Sequence, residues 1–253
     1  MASQLILWTC NILEAVLLLR AVRGRFFAKY ALFYAYLLCI LLQSPARFYF
    51  MLWHPELYPS FYWNTQFFDG LLGCGIIFEL YRQGLVHYPG AARMARNILA
   101  LVFAIVISKV LANALSGSVW SPARTSVDLE RYLRMVQSVF LIVLIALFYY
   151  YAIPLGKNLR GMMLGYAFFL GTSVVNLTLS TQLGSAFHVW WVYLQPLSYV
   201  LVLAIWCPAL WAYAPMPSPG PESKFEYDYQ LLSTETKKHL VQVRSYLSKA
   251  VLP

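Results

Sequence analysis

A chain of 253 residues, 60% apolar and 11% charged with a mean hydropathy of +0.61, lies far from the soluble norm of about 45–50% apolar and about 25% charged, so a bilayer is its expected solvent. The net charge of +9 would point to nucleic acid in a soluble domain, but the basic residues fall in short gaps between apolar runs, which makes them topology signals and excludes a nucleic-acid partner. Cys10, Cys39, Cys74 and Cys207 all lie inside apolar runs without CxxC spacing, which excludes a disulfide framework and a zinc site and leaves them as small buried residues.

The first apolar run, Leu5 to Val22, has no basic segment before it and no small-residue cleavage site after it, and is expected to persist as a helix rather than a signal peptide. It carries Asn11 and Glu14. Six further runs follow: Lys29 to Leu52 with Gln43, Phe61 to Gln83 with Gln66 and Asp69, Ala95 to Gly117 with Lys109 and Asn113, Asp128 to Ala152 with Gln137, Arg160 to Thr181 with Asn176, and Phe187 to Trp211 with Gln195. Each has about the 20 residues that a spanning helix needs. The expected fold is all-α, a polytopic seven-transmembrane-helix bundle over residues 1–213.

Basic residues set its orientation. Arg20, Arg23, Arg25, Lys29, Arg82, Arg93, Arg96, Lys157 and Arg160 gather on one side, against Arg47, Arg124, Arg131 and Arg134 on the other. The positive-inside rule places the amino terminus outside and the carboxy terminus in the cytoplasm. Residues 214–232 open with Pro215, Pro217, Pro219 and Pro221 and read as a linker. An amphipathic cytoplasmic helix is expected over 233–253, capped by Ser233, with Leu240, Val243, Leu247 and Val251 on one stripe and Lys237, Lys238, Arg244 and Lys249 mostly off it. Two placements are open to it, on the anionic inner leaflet or against the protein's own cytoplasmic loops.

Ionisable residues inside spans are costly and mark candidate function. At a rise of about 1.5 Å per residue, Glu14, Asp69 and Lys109 fall at a common depth in the outer half, together with Gln43, Gln137, Asn176 and Gln195. Asn11, Gln66 and Asn113 lie one turn from the three charges. The third and fourth spans are consecutive and hence expected neighbours, so Asp69 and Lys109 are predicted to form a buried ion pair. Glu14 has no cation at its depth and is expected to keep its proton and donate to Asn11 or to an amide across the bundle. Glu79 and Arg82, at i and i+3, are predicted to pair as an anchor at the cytoplasmic edge. Gly161 and Gly165, at GxxxG spacing, predict close backbone approach, and Pro196 interrupts the seventh run beside Gln195. Above the polar layer, Trp53, Tyr58, Tyr62, Trp63, Trp120, Trp190 and Trp191 fit an interfacial aromatic belt, some of them capping a pocket.

Several activities lack their residues. No lysine lies between Phe187 and Trp211 to form a retinal Schiff base, no Asp-Arg-Tyr ends the third span, and His54, His87, His188 and His239 lie in gaps or the tail rather than facing one another as haem ligands. HExxH, GxSxG and P-loop patterns are missing from the sequence. The residues therefore specify no catalytic group, no metal and no particular cofactor. The stretch from Tyr62-Trp63 through Gln66 to Phe78-Glu79-Leu80-Tyr81-Arg82, with Asp128-Leu129-Glu130-Arg131 opening a later helix, resembles a group of uncharacterised bacterial seven-helix membrane proteins. That resemblance implies a fold and a bacterial inner membrane, and no activity. Two functions stay open: a sensor or membrane-protein interaction subunit that meets a small molecule or a protein partner in the outer half, and a small transporter or proton-coupled carrier using Glu14, Asp69 and Lys109. A carrier requires polar groups that continue to the inner face, whereas a sensor is closed below by apolar side chains.

Overall fold

The computed structural model describes residues 2–24, 26–116, 122–183, 185–218, 225, 227–236 and 238. Among the described residues the structure is all-helical: α1 (Ala2–Arg23), α2 (Ala31–Trp53), α3 (Tyr58–Gly84), α4 (Pro89–Ser116), α5 (Pro122–Tyr150), α6 (Lys157–Leu183) and α7 (Ser185–Ala209), with a further helical stretch over 227–236. Each long helix covers one of the apolar runs, either whole or all but one or two residues of it. The polar turns before the fourth and fifth runs are helical too, and α4 and α5 start at Pro89 and Pro122, where a proline costs no hydrogen bond because a first-turn N–H has no helical acceptor. The α5 helix stops at Tyr150, two residues before the expected end. Ala152 adopts a left-handed backbone, φ 48°, and the amides of Ile153 and Ala152 return to the carbonyls of Phe148 and Tyr149 at 3.0 and 3.3 Å, a Schellman closure.

Short connections force antiparallel neighbours. Each of α1 to α6 packs on the helix that follows it, α4 sitting to the side between α3 and α5, and α7 closes the ring on α1; α3 is central, touching α2, α4, α5 and α6. One end of the bundle gathers Arg20, Arg23, Lys29, Arg82, Arg93, Arg96, Lys157 and Arg160 and is called the basic end below. Toward that end the core is apolar, with Leu17, Phe33, Leu37, Ile77, Leu80, Val202 and Trp206 at most 1% exposed. Trp206 meets Phe33 edge-on at 4.8 Å, and a Cβ at Gly165 would collide with its indole. Glycine is what allows α6 and α7 to approach this closely.

The outward surface is apolar as well: Ile12, Leu42, Leu101, Val139, Ile142 and Leu164 are all exposed, far more than a water-soluble bundle presents. Among the described residues, Leu5–Arg23, Ala31–Trp53, Pro89–Lys109 and Arg131–Tyr150 are long and apolar enough to cross a membrane. Membrane integration and contact with lipid follow from this composition.

The tail differs from expectation. Helix is present from 227, and Ser233 lies inside it rather than capping it, because the proline-rich linker ends sooner than the composition suggested. Phe225 is buried between Tyr88 and Tyr151, with ring centroids 4.6 and 4.8 Å away, and the Tyr151 hydroxyl meets Asp228 at 3.3 Å. The described part of the tail thus folds against the protein's own loops. Leu240, Val243, Leu247 and Val251, on which the amphipathic stripe rests, lie outside the described residues, as do Lys237, Arg244 and Lys249.

Candidate functional site

Polar side chains converge in the half of the bundle opposite the basic end, in three groups around α3. Between α2 and α3, Asp69 accepts from the Gln43 amide at 2.8 Å and from Arg47 at 3.3 Å. The same guanidinium donates to Gln43 at 2.7 Å and to Thr65 at 2.8 Å, and stands over the Tyr62 ring at 5.1 Å. A carboxylate at this depth needs a cation and further donors, and α2 supplies both from one face because Gln43 and Arg47 are four residues apart.

The second group joins α3, α5 and α6. Gln137, fully buried, donates to the Gly70 carbonyl at 3.3 Å and accepts from Tyr166 at 3.0 Å, and the same hydroxyl lies 3.1 Å from the Gly73 carbonyl. A Cβ at Gly73 would lie 2.9 Å from both the Gln137 amide and the Tyr166 hydroxyl, so only glycine lets these groups reach the α3 backbone. Arg134, one turn from Gln137, is buried with its guanidinium 4.5 Å from the Phe169 ring, a cation–π contact strengthened by exclusion of water.

The third group joins α1 and α7. Glu14, 1% exposed, accepts from the Tyr199 hydroxyl at 2.5 Å through Oε1, while its Oε2 has no hydrogen-bond partner among the described residues. One turn away Cys10 Sγ faces the Pro196 carbonyl of α7 at 3.9 Å. Tyr36 of α2, 1% exposed, is the common neighbour, within electrostatic reach of Arg134, Asp69, Tyr166 and Glu14.

Several expected contacts are corrected. Asp69 pairs with Arg47 and not with Lys109, which is exposed and lies 5.8 Å from the Tyr132 ring. Lys109 stands about a quarter of a turn off the inward stripe of Leu99, Phe103 and Val106, at about 3.6 residues per turn, so adjacency of α3 and α4 does not bring it inward. Glu14 meets the phenol of Tyr199 rather than Asn11 or an amide, because α7 and not a polar face of α1 lies against it. Gln195 is exposed; the packed stripe of α7, Tyr199, Val202, Leu203 and Trp206, begins a turn nearer the basic end. Gln66 is half-buried and reaches only Tyr62, at 3.4 Å on its own helix. Asn11 is half-buried, and Asn176 is buried beside a groove of about 460 Å³ between α6 and α7. The side chain of Asn113 lies outside the described residues, as do those of Trp63, Trp190 and Trp191.

Glu79 and Arg82 are brought together, and the pair does more than close on itself. Glu79 Oε2 accepts from the Leu32 amide at 2.8 Å, capping α2, whose own N-cap Tyr30 makes no side-chain cap bond. Arg82 and Gln83 both donate to the Lys29 carbonyl, at 3.4 and 2.5 Å. Asn158 performs the equivalent task for α7, donating to the carbonyls of Ala209 and Ala212 at 2.8 and 2.7 Å and accepting from the Ala214 amide at 2.6 Å.

The residues that sequence reasoning passed over are Tyr36, Arg47, Arg134, Tyr166 and Tyr199. Arg134 had a visible signal: Arg134, Gln137, Leu141, Leu144 and Phe148 recur at spacings of three and four, and all five are buried. Among the described residues no group of three or more His, Cys, Asp and Glu side chains is placed to hold a metal ion. No protein-family model, no curated protein and no solved structure matches the chain.

Proposed function

We propose that the chain is a seven-span membrane sensor or interaction subunit, amino terminus outside and carboxy terminus in the cytoplasm, in a bacterial inner membrane. The outer-half polar network is the part that responds to a small molecule or a protein partner. One observation carries this reading: the network stops. Beyond Gly73, Gln137, Tyr166 and Tyr199 the core among the described residues is mainly apolar for about two helical turns, roughly 10 Å at about 1.5 Å per residue; Trp206 and Phe33 fill its centre, and the Tyr81 phenol there is closed on the Phe140 carbonyl at 2.8 Å. A carrier needs polar groups through that layer. The carrier alternative retains Glu14 and Asp69 but loses Lys109, which faces outward.

Orientation gains support from the inward placement of two arginines. Arg47 and Arg134 belong to the interior network and not to loops, which leaves Arg124 and Arg131 opposite the nine basic residues of the other side.

Cysteine accessibility tests the proposal. In a background without Cys10, Cys39, Cys74 and Cys207, Arg47→Cys, at a position whose side chain is 27% exposed, should react with a membrane-impermeant maleimide added outside sealed cells, while the buried Leu37→Cys and Ile77→Cys should react from neither side. Labelling of Ile77→Cys from the cytoplasmic side of inverted vesicles would show an alternate opening and refute the sensor reading in favour of the carrier.

A further inference from the structure

We propose that the basic end of the bundle holds a specific site for the headgroup of an anionic phospholipid, in the cleft between α3 and α4. A cavity of about 550 Å³ opens there, lined on its apolar side by Phe78, Val86 and Ala92 and on its charged side by Arg82, Arg93 and Arg96. The three arginines are not equivalent. Arg82 is pinned by the buried Glu79 and by the Lys29 carbonyl, so its charge is locally balanced while more than half of its side chain stays exposed to the cleft. Arg93 and Arg96, three residues apart on α4 and therefore on one face, are exposed and form no ion pair among the described residues. Two guanidiniums without a carboxylate partner among the described residues thus remain on a concave surface, and guanidinium is the group best matched to phosphate oxygens.

The apolar wall selects the source of that phosphate. Phe78 is half-buried and Val86 is 51% exposed, so the cleft offers hydrocarbon contact immediately beside the arginines, as the glycerol backbone and first methylenes of a lipid require. A free phosphate uses the charges and leaves this wall wet. The cleft also lies where α3 ends and α4 begins, at the level where headgroups meet helix termini. The site rests on the membrane-spanning, cytoplasm-facing reading of this end of the molecule.

Native mass spectrometry of the full chain, released from micelles containing equal amounts of phosphatidylglycerol and phosphatidylcholine, tests it. The expected result is retention of phosphatidylglycerol over phosphatidylcholine by at least about tenfold, since each basic residue near an anionic headgroup contributes on the order of a fivefold preference. The preference should collapse in Arg93→Gln/Arg96→Gln and persist in Arg23→Gln/Arg160→Gln, which removes the same charge from exposed positions outside the cleft. An equal loss in both double variants would overturn the site, as would a wild type without preference. Displacement of the lipid by millimolar glycerol 3-phosphate would assign the arginines to a water-soluble phosphate and overturn the lipid assignment. Alkaline carbonate extraction of the native membranes separates the two levels: a chain that resists extraction yet keeps no anionic lipid defeats this site alone, whereas a chain that is extracted defeats the membrane reading beneath it.

Discussion

Replacing Asp69 with Asn isolates the electrostatic heart of the polar network. The carboxylate takes one bond from Gln43 and one from Arg47, and the side chains of the ion pair are 11% and 27% exposed. An exposed pair contributes about 0.2–1 kcal/mol, and breaking a fully buried one from a single side costs about 3–5 kcal/mol. Partial exposure of Arg47 places this pair between the two, at about 2 kcal/mol. Asn keeps an oxygen for Gln43, so the loss falls on Arg47. At roughly 2–4 °C per kcal/mol for a chain of this size, the midpoint of unfolding should drop by about 4–8 °C. The buried thiols Cys10 and Cys74 make a thiol-reactive fluorogenic dye a direct readout in micelles. In a double-mutant cycle, Asp69→Asn and Arg47→Gln should couple by about 1–2 kcal/mol, whereas Asp69→Asn and Lys109→Gln should be additive within the error of the method. Coupling to Lys109 as large as that to Arg47 would refute the pairing and restore the one expected from helix adjacency.

Gly165→Ala should lower stability by about 1–3 kcal/mol, because its methyl group meets the Trp206 indole. Gly171→Ala, with nothing within 4 Å of the added atom, should be neutral or stabilising by up to about 1 kcal/mol; equal effects at the two positions would argue against close α6–α7 contact. Asn158→Ala should strip partners from two carbonyls and one amide at the end of α7, at about 1 kcal/mol or more for each. Hydrogen exchange of the amides from 210 to 216 should accelerate while those of α3 do not, and an even acceleration across the molecule would contradict a local cap.

Helix placement was legible because spanning helices are written as long apolar runs, and the runs were long enough to tolerate errors at their ends. Which polar side chains turn inward was partly legible: Glu14, Gln43, Asp69, Gln137 and Asn176 are all buried, and Gln43 meets Asp69 directly. Azimuth was harder. Lys109, expected in the same layer, is exposed, and nothing short of tracing the Leu99, Phe103 and Val106 stripe reveals it. Arg47 and Arg134 were read as loop charges because they lie near span ends, although Gln43 to Arg47 and Arg134 to Gln137 each fall on an inward stripe. The tyrosines escaped for a different reason. Tyr36, Tyr166 and Tyr199 count in the apolar set of the composition, yet buried phenols seek hydrogen-bond partners, and Tyr166 and Tyr199 find theirs across the bundle in Gln137 and Glu14.

The capping of one helix by a residue of its neighbour has a mechanical consequence. The hairpin of α2 and α3 is joined covalently at one end by residues 54–57 and at the other by Glu79, Arg82 and Gln83 gripping the start of α2. The hairpin of α6 and α7 is likewise joined across residue 184 and again by Asn158 at the end of α7. Each is a closed frame, unable to splay without breaking a polar clamp, and the two frames touch where Tyr166 meets the Gly73 carbonyl. Any relative motion of the two hairpins would therefore leave each frame intact and turn one against the other about the Tyr166 contact.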